Sequence, residues 1–332
     1  MKDAKIYDGA GWQSLKGPPG PSAVSADAGN TVKLGSDSLI SCLALLHTTD
    51  SYIVVQPGES VNAKYAAAAL LTPRGQPKSA TNRATLFIVP GQYALAGQLA
   101  VNTDFVDVVG LGGSPFAPAV TFTTATINVT ANDVLVSGIS VGTQRFTIAA
   151  DKPLARFFNC RGGVGSFGLQ IKVSGTFDYC ECTSTLGFGG GGEASGVFRD
   201  CRGGDNCFGS FVGGIPGRAT GTFIRCTGGI SSFGGQAGAD GRFEYCRSGR
   251  QSFGNGLNPA APFLLSCVST GDFSFQSQLT ESRFFNCCVE GAAGVIPTFS
   301  PAWDIRPEDR QGIYVNCVSC DGDIYSKKAG DP

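Results

Sequence analysis

Eight cysteines recur on one frame and constrain the fold more than any other feature. The tetrads FFNC, FDYC, FRDC, FIRC, FEYC, LLSC, FFNC and YVNC end at Cys160, Cys180, Cys201, Cys226, Cys246, Cys267, Cys287 and Cys317. Their spacings are 20, 21, 25, 20, 21, 20 and 30 residues. A Phe-Gly pair follows most cysteines seven or eight residues on: Phe167-Gly168, Phe188-Gly189, Phe208-Gly209, Phe233-Gly234 and Phe253-Gly254. A period near 20 specifies a solenoid. Leucine-rich repeats share the period, but their Leu-x-x-Leu-x-Leu frame is absent. Helical solenoids need longer repeats and better helix formers than Gly, Phe, Ser and Thr. The fold class that remains is all-β: a single-stranded parallel β-helix with one coil per repeat.

In such a coil, short strands alternate with bends, and equivalent residues stack about 4.8 Å apart. Phe177, Phe198, Phe223, Phe243 and Phe284 are therefore expected to form one interior column. Cys160, Cys180, Cys201, Cys226, Cys246, Cys267 and Cys287 are expected to form a second. Burying each Phe contributes roughly 1.5–3 kcal/mol. Residues three apart in a flat strand face opposite sides. If Phe and Cys both point inward, a bend must separate them, and the variable residue before each Cys suits that corner.

Composition narrows the function. The net charge is −1 and charged residues make up 15% of the chain, which gives no electrostatic footprint for nucleic acid. No run of about 18 apolar residues suggests membrane insertion. The opening MKDAKIYDGAGWQ has no apolar core of a signal peptide. The 13 cysteines are accordingly expected to be reduced and buried. CVSC (Cys317, Cys320) and CEC (Cys180, Cys182) have metal-like spacing, but His47 is the one histidine and lies far off. We expect no metal and no cofactor.

Upstream of the cysteine frame, residues 86–150 read as strands broken by Gly, Pro and Asn-Asp. The stretches LFIVPGQYAL, FVDVVGLGG and ANDVLVSGISV resemble the opening coils of pectate-lyase-like right-handed β-helices. The resemblance covers roughly residues 50–325 and implies a right-handed coil; it brings no catalytic motif. Ser60 is the expected N-cap of a short helix over 62–71, stopped by Pro73 and placed to cap the open end of the solenoid. The head of the chain, with YDGAGW, GPPGP and SADAGN followed by LGSD, resembles the N-terminal region of fibre and spike proteins of tailed bacteriophages. That resemblance implies a homotrimer docked to other virion proteins. Trp12, Gly17, Pro18, Pro19, Gly20 and Pro21 are the expected attachment and trimerisation residues. The organisation is then 1–45 attachment, 46–85 connector and capping helix, 86–325 β-helix, and 326–332 tail.

Chemistry is sparse. Glycoside hydrolysis needs two carboxylates about 5–10 Å apart. Asp178, Glu181, Asp200, Asp240, Glu244 and Asp272 form no convincing cluster, and no catalytic residue is assigned. GVGSFG (Gly163, Gly165, Gly168) matches a dinucleotide pattern, but no helix follows. GFGGGGEASG (187–196) is expected to be a flexible outward loop. The longest interruption of the period, VIPTFSPAWDIRPEDRQG, carries Phe299, Trp303, Asp304 and Arg306. It reads either as a lid or subunit contact, or as a ligand-binding loop. Three functions stay open: a trimeric fibre or spike that binds host surface glycan or another receptor, a polysaccharide-degrading tailspike, and a capsid-decorating fibre or cement protein.

Overall fold

The computed structural model describes residues 50–95, 97–210, 213–214, 217–235, 238–253, 262–270, 283–290, 313–318 and 324–327, with the backbone of 5–7 and 12–14. Two compact units divide the chain, Met1–Thr49 and Asp50–Pro332. In the first, Lys5–Tyr7 and Trp12–Ser14 pair antiparallel, with Trp12 opposite Tyr7. Gly17, Pro18, Pro19, Gly20 and Pro21 lie outside the described residues.

The second unit is a β-solenoid. Its longest ladder runs parallel from Tyr52–Val55 through Ala84–Ile88, Val106–Gly110 and Leu135–Ser137. It continues through Arg156–Phe158, Thr176–Asp178, Val197–Arg199, Thr222–Ile224 and Arg242–Glu244 to Phe263–Leu265, Arg283–Phe285 and Ile313–Val318. A second ladder follows the cysteines: Gly91–Tyr93, Val120–Phe122, Ile139–Ser140, Arg161–Gly162 and Glu181–Cys182. Single bridges extend it through Arg202, Thr227 and Arg247. The third ladder starts with Leu99–Val101, Ile127–Val129 and Phe146–Ile148. Later coils reduce it to Val173, Ala194, Ala219 and Ala239.

The corner before each cysteine has a definite backbone cause. Asn159, Tyr179, Asp200, Arg225, Tyr245, Ser266, Asn286 and Asn316 all have φ between 50° and 55°. One left-handed residue reverses the alternation of faces, so the Phe three residues before a Cys and the Cys itself both point inward. The cost is held down because the N–H groups from Asn159 to Asn286 on this frame still find the next coil: Tyr179 N–H donates to Arg199 O at 3.0 Å and Arg225 N–H to Glu244 O at 2.8 Å.

The interior contains two aromatic columns. Phe157, Phe177, Phe198, Phe223 and Phe243 stack with ring centroids 4.9–5.0 Å apart. Leu264 follows Phe243 in register, and Phe284 follows Leu264. The Phe-Gly phenylalanines make the second column, from Phe146 through Phe167, Phe188, Phe208 and Phe233 to Phe253. The columns meet edge to face: Phe198 and Phe208 lie 5.8 Å apart at 84°. Such pairs add about 0.5–1.5 kcal/mol beyond burial. That gain offsets the left-handed backbone of Phe188, Phe208 and Phe233, which costs about 1–2 kcal/mol per residue.

The 187–196 stretch is not an outward loop. Phe188 is fully buried in the second column, and Gly187, Gly189, Gly190 and Gly191 are buried beside it. The glycines are there for close approach: a Cβ on Gly192 would lie 2.2 Å from Ile171 O.

The thiols line the corner between the first two ladders. Several donate to the carbonyl of a Phe one coil back: Cys201 to Phe177 O at 3.2 Å, Cys226 to Phe198 O at 3.3 Å, Cys246 to Phe223 O at 3.3 Å. The cysteines from Cys160 to Cys287 on this frame are free and buried. Burial pushes the Cys160, Cys201 and Cys246 thiols well above the ordinary range.

At the start of the solenoid, helix Val61–Ala69 buries Val61, Tyr65 and Ala68. The Ser60 hydroxyl accepts from Ala63 N–H as its N-cap. The helix ends two residues before the expected Leu71: Pro73 has no N–H for the Ala69 carbonyl, and Lys78 Nζ donates to the Ala69 and Leu71 carbonyls instead. The Tyr65 hydroxyl accepts from Asn102 and Thr103 N–H, tying the helix to a coil. Beneath it Arg83 spans Asp107 and Asp133 of successive coils at 2.7–2.8 Å. At the other end Ile324–Lys327 pairs antiparallel with Ile313–Val318.

Two outcomes test this packing. Iodoacetamide should leave Cys201 and Cys226 unmodified in the native protein and label them in denaturant, as read by peptide mass mapping. The second concerns Asp104. Burial pushes its carboxyl up, but Asn132 and Asp133 N–H outweigh this, and its pKa lies below the ordinary value. A depressed folded pKa stabilises above the unfolded value, about 3.9, and that stability is lost as pH falls through the folded pKa. Asp104→Asn should therefore lower stability by about 1 kcal/mol at neutral pH. The gap to wild type should close below about pH 4, measured by urea unfolding across pH.

Candidate functional site: an aromatic and arginine corner

The left-handed corner that turns the cysteines inward turns its own side chains outward. Its outer row reads Asn159, Tyr179, Asp200, Arg225 and Tyr245 in successive coils. The row just past the cysteines reads Arg161, Glu181, Arg202, Thr227 and Arg247. Tyr245 is 57% exposed and Phe158, at the end of its strand, 44%.

A hairpin from an earlier coil completes the cluster. Gly113–Ser114 pairs antiparallel with Ala117–Pro118, and Phe116 sits at its tip with φ 65°. Asn159 is buried, and its Oδ1 accepts from Phe116 N–H at 2.9 Å. The Phe116 ring meets Tyr179 edge to face at 6.1 Å, and Tyr179 meets Phe158 at 5.8 Å. The Arg202 guanidinium lies over the Phe116 ring, 3.9 Å from its centroid. This is a close cation–π contact that leaves the planar N–H fork of Arg202 at an exposed residue. Aromatic faces beside fixed donors suit a sugar ring or a protein side chain.

The candidate acids are already engaged. Asp178 pairs with Arg199 at 3.1 Å, Glu181 with Arg161 at 2.9 Å, and Asp200 with both arms of Arg225 at 2.6–2.7 Å. Asp240 pairs with Arg218, and Glu244 with Arg242. Asp272 lies outside the described residues, as do Phe299, Trp303, Asp304 and Arg306. Among the described residues, no cluster of three His, Cys, Asp or Glu could hold a metal ion. A separate open depression of about 320 Å³ lies between the second and third ladders, lined by Thr143, Gln144, Arg145, Val164 and Leu169. No aromatic ring contributes to it.

No family model matches the sequence, and no curated protein does. Four solved chains match the structure. One, ORF18 of Geobacillus virus E2, aligns over 95% of this chain at 11% identity with a TM-score of 0.33. The alignment spans 66% of that chain, just under two thirds of its length.

Sequence reasoning singled out neither Phe116 nor Arg202. The available signal was the outward row itself, since alternate residues of the frame carry Tyr, Arg and Asp. Two neighbouring substitutions separate core from surface. Phe177→Ala should cost about 3–5 kcal/mol. Tyr179→Ala, two residues on, should cost about 1 kcal/mol or less. Denaturant unfolding of the two variants reads the difference.

Proposed function

We propose that this chain is a structural protein of a bacteriophage virion. It acts as a homotrimeric tail fibre or spike that projects from the particle and binds a host surface glycan. Residues 1–45, with Trp12 and the Gly17–Pro21 stretch, attach it to other virion proteins and hold the trimer. The solenoid is the shaft, and the corner around Phe116, Phe158, Tyr179 and Arg202 is the glycan contact. The observation that carries this reading is that corner: the exposed Phe158 ring, the half-buried Tyr179 and Phe116 rings and an exposed arginine held together in fixed geometry on the solenoid. The resemblance of the head to phage fibres supplies the setting. The stretch 295–312, with Phe299, Trp303, Asp304 and Arg306, is a second proposed contact of the same kind. No cofactor takes part.

The test uses the purified full chain. Sedimentation should give three times the chain mass of 34.2 kDa, and a stable monomer at micromolar concentration overturns the trimer. The protein should adsorb to host cells and block phage adsorption, and Tyr179→Ala should weaken this about tenfold or more. Release of reducing ends or unsaturated sugars from host polysaccharide identifies a tailspike enzyme instead. Loss of particle stability on removing the protein, without cell adsorption, identifies a cement protein.

A further inference from the structure

The acids beside the aromatic corner are all taken, and one cation is left over. Arg199 holds Asp178 at 3.1 Å, and Arg161 holds Glu181 at 2.9 Å. Arg225 takes both oxygens of Asp200. Arg202 stands among these pairs with no ion pair and no side-chain hydrogen bond to any described residue. Its guanidinium instead lies 3.9 Å from the centroid of the Phe116 ring. The register explains the surplus. Arg161 stands opposite Glu181 of the next coil. Arg202 stands opposite Thr227 in the same relation. Where the pattern calls for an acid, the chain has a hydroxyl.

The surplus charge is also held in place. Phe116 N–H donates to Oδ1 of the buried Asn159, and its ring meets Tyr179 edge to face. A ring against one face of a guanidinium leaves the in-plane N–H groups open. Contacts then run without a break from the exposed Phe158 through Tyr179 and Phe116 to Arg202. We infer that Arg202 reads a single oxyanion, the carboxylate or phosphate of an acidic sugar, while the sugar ring lies against Tyr179 and Phe158. This rests on the glycan reading above. The oxyanion takes two N–H bonds from the planar fork, a match that an ammonium does not make. It also balances the charge that the three internal pairs leave over. One such group per site is enough, because Arg161, Arg199 and Arg225 are held by their own acids.

Titration of the full chain tests this by ligand-observed NMR. The probes are methyl glucuronide, methyl galacturonide, glucose 6-phosphate and galactose 6-phosphate, with methyl glucoside and methyl galactoside as neutral controls. Host surface polysaccharide is titrated alongside, untreated, carboxyl-reduced or dephosphorylated. Acidic probes should bind at least about tenfold tighter than neutral ones. Loss on carboxyl reduction assigns a carboxylate, and loss on phosphatase treatment a phosphate. Arg202→Gln should weaken binding about tenfold or more with an unchanged melting curve, and Arg202→Lys should recover only part. Thr227→Glu supplies the missing acid in the register of the Arg161–Glu181 pair and should weaken binding with every aromatic ring retained. Glycan binding that ignores charge and survives both Arg202→Gln and Thr227→Glu overturns the inference and leaves the glycan reading standing. Binding to no sugar or polysaccharide of the set removes both.

Discussion

The structure depends on one backbone state, repeated coil after coil: the left-handed residue that precedes each cysteine. Without it, Phe177 and Cys180 would face opposite sides of a flat strand, and one of the two columns would stand in water. With it, both enter the core and the coil turns a corner. The same torsion expels Tyr179, Asp200, Arg225 and Tyr245 onto the surface. Core and candidate binding face are therefore two results of a single conformational choice, and the outer residue is free to vary because only its φ is constrained.

The two aromatic columns explain why the frame tolerates so little variation inside. Rings within a column lie nearly parallel, and rings between columns lie nearly perpendicular, as with Phe223 and Phe243 at 4° and Phe223 and Phe233 at 84°. A third wall of Val173, Ala194, Ala219 and Ala239 supplies the small side chains that two large columns require. Interiors packed at this density transmit any loss of volume to the neighbours above and below. Leu264 is the one aliphatic residue between Phe243 and Phe284 in that register.

Much of this was legible in the sequence. The spacing of the tetrads gives the coil, and the column of Phe177, Phe198, Phe223 and Phe243 follows from it. The corner before Cys followed from a parity argument alone. The glycine run 187–196 misled because glycine is common both in mobile loops and wherever two backbones touch. Here Phe188 inside the run belongs to the core and fixes its neighbours. The cluster at Phe116 could not be read along the chain. Its hydrogen-bond partner Asn159 is 43 residues away, and only the hairpin's reach over later coils brings them together.

The antiparallel pairing of Ile324–Lys327 with Ile313–Val318 has a consequence for growth. A stack of parallel coils is a template that another chain could lengthen indefinitely, as fibrils do. Ile324–Lys327, running the other way, pairs with the Ile313–Val318 edge and replaces a parallel template there with an antiparallel strand.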